Sequence, residues 1–276
     1  MSALTYDEFG PFKVIEVYEP SVNLRGTLVV DNVARGASIG GVRMAPDVST
    51  EECFRLARAM TFKNAAADLP HGGGKSVLYG DPAMPPRQKE ELVRAFACAL
   101  EEVEQYIFGP DMGTNEECMA WVRDEIGRAV GLPREIGGIP LDEIGATAWG
   151  LLHAIKVACE YHERELAGTR IAIQGFGAVG KHAARFLAAE GAVIVGAADI
   201  NGTVSCADGL DVEKLMAIKA EDGSVIDYPD GPGVNKDTAE AIINNWIGMV
   251  YQITSVERRE PFQQGIDPHD PLGLRA

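Results

Sequence analysis

Thr169-Arg-Ile-Ala-Ile-Gln-Gly-Phe-Gly-Ala-Val-Gly180 is the stretch that decides the fold. An apolar run leads into three glycines spaced G-x-G-x-x-G, and the periodicity predicts an amphipathic helix over 179–190. A second apolar run, Ala192 to Ala198, reads as another strand and ends in Asp199. A lone glycine fingerprint is weak. Placed after a strand, opening a helix and followed by an acid about 20 residues on, it marks a dinucleotide-binding βαβ unit. Gly175 makes the tight turn, Gly177 lets the backbone approach a pyrophosphate, and Gly180 allows close helix–strand packing. Phe176, Ala178 and Val179 complete the loop, and the pyrophosphate would sit against the unpaired amides of the helix N-terminus. Asp199 would accept from the ribose hydroxyls, which favours NAD over NADP. A neighbouring basic residue could bypass that preference; His182, on the same helix, is a candidate, although a lone helix-surface histidine reads first as solvated.

Outward from this unit, Gly131-Leu-Pro-Arg-Glu-Ile-Gly-Gly-Ile-Pro140 is rich in glycine and proline and reads as a boundary. The segment before it predicts strands near Phe12–Tyr18 and Arg25–Asn32 and helices over 50–68, 86–104 and 115–130. After it comes a helix to about Leu166, then the fingerprint strand. The fold class is therefore α/β with two domains. Residues 1–134 read as an N-terminal α/β domain, 135–234 as a partial Rossmann-type domain, and 235–276 as a divergent, irregular tail. The residues after Asp199 are too few for a second βαβαβ half. The segment 221–234 reads as a loop, and one strand is expected near Ile247–Thr254.

Global properties narrow the function. Hydrophobic residues make up 46% of the 276, enough for a real core, and the net charge of −16 argues against nucleic acid or an anionic membrane as partner. Cys53, Cys98, Cys118, Cys159 and Cys206 show neither metal nor disulfide spacing, so no metal is expected. Met1–Glu8 lacks a basic-then-apolar leader pattern, and reduced cysteines suit a cytoplasmic protein.

The chemistry is concentrated in Leu69-Pro-His-Gly-Gly-Gly-Lys-Ser-Val-Leu-Tyr-Gly-Asp-Pro82. Three glycines remove every side chain that could crowd the backbone, and Lys75 follows at once. A lysine in a tight, water-poor place moves toward its neutral amine, which is a base at working pH. Alone, the segment reads equally as a surface turn with a solvated lysine. Lys63 lies upstream in Ala59-Met-Thr-Phe-Lys-Asn-Ala65, on a helix leading into the glycines. Asp111, in Gly109-Pro-Asp-Met-Gly-Thr-Asn115, ends a short strand and by itself reads as a turn or cap residue.

Together these segments resemble the active-site signature of the glutamate/leucine/phenylalanine/valine dehydrogenases. Leu69, Gly72, Gly73, Gly74, Lys75, Val77, Asp81 and Pro82 fit its positions, and Asp111 fits its Asp-Met-Gly-Thr motif. The resemblance implies NAD(P)-dependent oxidative deamination of an L-amino acid to a 2-oxo acid and ammonium by a homo-oligomer, with residues 1–134 as the substrate-binding and dimerisation domain. It makes Lys75 and Asp111 catalytic, Lys63 the group on the substrate α-carboxylate, and Thr147, in Asp142-Glu-Ile-Gly-Ala-Thr147, a neighbour of the nicotinamide; by its place at a helix start, Thr147 also reads as a cap. Arg43, in Gly40-Gly-Val-Arg43, matches a motif without an assigned role. Glutamate-specific members carry a lysine where this chain has Ile39, which suits an apolar side chain, whereas the wording of 109–117 and 142–147 is closer to the glutamate branch. The likeness covers about residues 1–234 well and the rest poorly, which fits a truncated, a frame-shifted or a naturally divergent member. A second reading is a non-catalytic nucleotide-binding remnant acting as a regulatory partner.

Overall fold

The computed structural model describes residues 6–221, 223–229 and 234–235. Contacts divide the chain into two units, Met1–Pro140 and Leu141–Ala276, at the end of the Gly- and Pro-rich stretch.

The first unit is a five-stranded sheet between helices. Its strands are β1 (Lys13–Glu19), β2 (Leu24–Val30), β3 (Ser38–Ala45), β4 (Gly72–Tyr79) and β5 (Tyr106–Pro110), in the order β1-β2-β4-β3-β5. β2 runs antiparallel to β1 and β4, whereas β3 is parallel to both β4 and β5. Period-two alternation divides the sheet's side chains between two cores. Val29 and Val77 pack on Cys53 and Ala57 of helix α1 (Thr50–Ala66). Leu28, Val42 and Leu78 meet Leu92 and Phe96 of α2 (Pro86–Ala99) and Met119 of α3 (Glu116–Ile126) on the other face. Ser49 caps α1 by accepting from the Glu52 amide, and Glu51 and Glu52 suit the positive end of the helix dipole.

The glycine run is the main departure from expectation. It is no turn. Gly72–Gly74 open β4, the central strand, and Val30 pairs with Gly74 while Ser38 pairs with Gly72. A Cβ on Gly73 would overlap the backbone of Thr61 in α1, and one on Gly72 would overlap the carbonyl of Asn32. Glycine is poor in strands by propensity, but here it lets a helix lie directly on the sheet, and that contact overrides propensity. β3 escapes the sequence reading for the same reason, since Gly40-Gly41 interrupts its pattern.

The second unit holds α4 (Leu141–Ile144), α5 (Ala146–Tyr161), β6 (Arg170–Gln174), α6 (Ala178–Ala189), β7 (Val193–Asp199), β8 (Gly202–Cys206), α7 (Val212–Ala220) and β9 (Val234–Asn235). The sheet order is β6-β7-β8-β9. Only β6 and β7 are parallel; β7–β8 and β8–β9 are antiparallel. The described residues thus contain one βαβ step followed by a hairpin, and the sheet is mixed. Leu152, Ile155, Ile171, Ile173, Leu187, Ile194, Val204 and Leu215 form its core. The expected loop 221–234 contains a 3-10 turn at Val225–Asp227 and the start of β9. The strand expected near 247–254 and the tail lie outside the described residues. Among described residues, no helix is long and apolar enough to cross a membrane, and no group of His, Cys, Asp or Glu is placed to hold a metal. Four cysteines are buried and Cys98 is exposed; all are free.

Candidate active site

In the first unit the fold brings Lys75 and Asp111 into contact. Lys75 projects from β4 on the α1 side of the sheet, and its side chain is 6% exposed. Asp111 follows β5, in a turn closed by Thr114. The Thr114 hydroxyl accepts from the Asp111 amide at 3.0 Å and donates to the Val42 carbonyl at 2.8 Å. Gly113, at φ +81°, allows this turn against Met44. Lys75 Nζ lies 2.8 Å from Asp111 Oδ2. Gly41 clears the space: a Cβ there would press on Asp111 and approach Lys75 Nζ.

Arg43 completes the group, and sequence reasoning left it without a role. Its Nε donates to the same Asp111 Oδ2 at 2.9 Å, and its Nη1 to Glu52 Oε1 at 2.6 Å. The signal was present in Gly40-Gly-Val-Arg43, one strand away from Lys75, but only the β3–β4 pairing shows the adjacency.

Electrostatics follow from this packing. Burial pushes the Lys75 ammonium down from its ordinary value, against the pull of Asp111, and Arg43 pushes the same way. Burial would raise the Asp111 carboxyl, but Lys75 and Arg43 outweigh it and hold the group below the usual carboxylate range. The result is an ionised carboxylate beside a lysine biased toward the neutral amine, the pairing that general acid–base work requires. Lys63 stands apart: it is exposed in the last turn of α1 and makes no ion pair with a described residue. The cation that shares Asp111 with Lys75 is Arg43. From the same helix, Asn64 Nδ2 donates to the Gly72 carbonyl at 2.7 Å and ties α1 to the glycine strand.

The fingerprint loop of the second unit is open. Gly175 turns at φ +92°, and neither it nor Gly177 has a neighbour within 4 Å of a Cβ position. A Cβ on Gly180 would overlap the Gly175 carbonyl, so this glycine serves packing. The ladder of α6 begins with Lys181 N–H to the Gly177 carbonyl at 3.0 Å, so the amides of Ala178, Val179 and Gly180 precede it. The residues fit a pyrophosphate: an uncrowded backbone and unpaired donors at a helix start. Phe176 contributes differently, since its ring is core and its amide donates to the Ala198 carbonyl. Thr147 is exposed in the first turn of α5, and Gly145 rather than Thr147 stands at the N-cap. His182 is 5% exposed, packed on Gly145 and Phe186, so the expectation of a solvated surface residue is wrong.

Asp199 is also not free. Its oxygens accept from the Asn201 amide at 2.9 Å, the Val225 amide at 3.0 Å, the Ser224 hydroxyl at 2.9 and 3.0 Å, and Lys219 Nζ at 3.1 Å. Burial would raise this carboxyl, but these donors bring it down to about 2.

Comparison with known proteins places both units. The Glu/Leu/Phe/Val dehydrogenase dimerisation domain matches residues 14–128, and the glutamate/leucine/phenylalanine/valine dehydrogenase domain matches 137–252. The chain belongs to this family. The second match runs past residue 234, so the likeness extends further than the sequence reading drew it. Relatives include an NADP-specific glutamate dehydrogenase of Saccharolobus shibatae, 35% identical over 75% of this chain and 52% of its own. An NAD-specific glutamate dehydrogenase A of Halobacterium salinarum is 37% identical over 80% of this chain and 55% of its own. Among solved structures, the hetero-hexameric glutamate dehydrogenase of Thermus thermophilus superposes with a TM-score of 0.70 at 29% identity. That superposition covers 78% of this chain and 56% of the other. The family member described here thus spans about half the length of the curated relatives it matches.

Proposed function

We propose that this chain takes part in oxidative deamination: L-amino acid + NAD(P)+ + water ⇌ 2-oxo acid + ammonium + NAD(P)H + H+. The observation that supports it best is the buried Lys75–Asp111 contact with Arg43 on the same carboxylate oxygen. Lys75, biased toward its amine, takes a proton from the attacking water. Asp111 exchanges a proton with the substrate nitrogen; its Oδ1 carries no donor among the described residues. Lys63 is assigned to the substrate α-carboxylate and Thr147 to the nicotinamide side. Gly175, Gly177 and the amides of 178–180 hold the dinucleotide, which supplies hydride acceptance when bound. Two glutamate dehydrogenases among the relatives make glutamate the first substrate, and Ile39, half-buried on β3, puts leucine and valine in the same panel. The functional protein is an oligomer, as the dimerisation-domain match suggests.

The test is turnover of purified protein with these amino acids and either NAD+ or NADP+, followed by reduced-cofactor absorbance. Lys75→Met should lower kcat about 10³-fold, the scale of a lost acid–base group. Turnover by Lys75→Met within a few-fold of the parent would remove Lys75 from the chemistry. No turnover in any combination, with dinucleotide still bound, would favour a nucleotide-binding remnant.

A further inference from the structure

His182 is a buried titratable group that the deamination reading leaves without a role. It stands on α6, two residues after the last glycine of the fingerprint. Its ring lies against Gly145, the residue between α4 and α5, which adopts φ +72°. A Cβ on Gly145 would come within 2.6 Å of His182 Cγ, so only glycine admits the ring. The Gly145 carbonyl accepts from the Trp149 amide at 2.9 Å, which starts the ladder of α5. The rings of His182, Phe186, Trp149 and His153 then form a row from α6 to α5, with centroids 6.3, 5.3 and 4.9 Å apart in that order. Thr147 sits in the turn of α5 that this contact holds.

Neither ring nitrogen of His182 has a hydrogen-bond partner among the described residues. A buried polar group without a partner costs free energy that a phenylalanine in the same place would not. Packing alone therefore does not account for a histidine here. What imidazole adds to a phenyl ring is a charge that depends on pH. The charged groups that act on it are Arg185 and Lys181 of its own helix and Asp142 of α4. From α5, His153 stands at the far end of the ring row, and Lys156 pairs with Glu190 of α6 at 2.6 Å. Burial first, then Arg185 and Lys181, push the ionisation of the ring below its ordinary value, and Asp142 offsets only part of this. Above about pH 6.5 the ring is neutral and fits its contact; below it, protonation puts a charge into a dry space between α4 and α6.

We propose that neutral His182 is a positioning residue: it holds Gly145, and with it the first turn of α5 that carries Thr147, against the helix that opens with the dinucleotide loop. The inference rests on the dinucleotide reading above. It adds what keeps the turn assigned to the nicotinamide in register with the loop assigned to the pyrophosphate. Protonation of His182 loosens that turn and leaves the first unit untouched.

Amide hydrogen exchange on the full chain, read on peptides from 13–30, 141–152 and 175–182, tests this. His182→Phe keeps a ring and removes the proton. At pH 7.5 the parent and His182→Phe should exchange at 141–152 within twofold of each other. At pH 5.5 the parent should exchange there at least threefold faster than His182→Phe, while 13–30 stays the same in both. Comparing the two proteins at one pH cancels the intrinsic pH dependence of exchange. Saturating NAD+ at pH 7.5 should slow 141–152 at least threefold in the parent, together with 175–182. Equal exchange of the two proteins at both pH values overturns the proposal, and so does a difference that extends to 13–30. An NMR titration of the parent gives a second measurement that needs no variant: a His182 ring that titrates at or above pH 6.5 overturns it as well. Slowing by NAD+ at 175–182 with none at 141–152 removes the positioning role and leaves the dinucleotide reading intact. If millimolar NAD+ slows neither segment, the dinucleotide reading itself fails, and this inference with it.

Discussion

Gly72–Gly74 and Gly175–Gly177 look alike as sequence: each is a glycine-rich run beside apolar residues, and each precedes the residues that define a site. Their surroundings are opposite. Around Gly72 and Gly73 every Cβ position is filled, by the Asn32 carbonyl and by the backbone of Thr61. Around Gly175 and Gly177 there is nothing within 4 Å. In the first run glycine is required by the protein itself, because a helix lies directly on a strand. In the second the Cβ positions are open, and Gly175 is required by its φ of +92° rather than by packing, which leaves the space to the ligand of the proposed function. A glycine motif therefore states that a backbone is uncovered, and only packing states what covers it.

The largest effect should come from Gly73→Ala. The added methyl would push on main-chain atoms of α1 that cannot rotate away, so a loss of more than about 3 kcal/mol is expected in chemical denaturation. A variant as stable as the parent would show that α1 does not rest on β4 as described.

A smaller effect is expected at Asp199, the charged group at the end of β7. Its carboxyl is held at about 2 instead of 3.8, so the ionised form stabilises the fold at any pH above about 4, by about 2 kcal/mol. That contribution disappears as pH falls from about 4 to about 2. Asp199→Asn should therefore be less stable at pH 7 and should converge on the parent near pH 2. A gap that stays constant with pH would mean the carboxylate's charge contributes nothing.

Gly177→Ala should change stability least, by less than about 1 kcal/mol, since its φ of −90° suits alanine and only the N-cap preference is lost. Binding of ADP-ribose should nevertheless fall tenfold or more, because the methyl enters the space left for phosphate. Unfolding by Gly177→Ala would erase the contrast between the two runs. Retained stability together with retained binding would deny the open loop its ligand.

Legibility followed the range of the interactions involved. The α1 start, the fingerprint turn and the helix after it are written in neighbouring residues, so caps, glycines and periodicity announce them. The Lys75–Asp111 pairing was accessible only through resemblance, and Arg43 was missed as its partner, because those residues meet through β3–β4 and β3–β5 pairing over long stretches of chain. His182 was misjudged for the same reason: its burial comes from Gly145, far off in sequence.

Local chemistry in the sequence determined the two glycine runs and the α/β class, while resemblance to the family singled out the residues proposed for acid–base and dinucleotide chemistry. Tertiary structure decided that the first glycine run is a strand, that one oxygen of Asp111 takes both Lys75 and Arg43, and that Asp199 is engaged by Lys219 and Ser224. The physical reason is the same in each case. Backbone conformation is specified by short-range sterics that neighbouring residues encode, whereas burial, charge pairing and free space depend on which distant segments pack together.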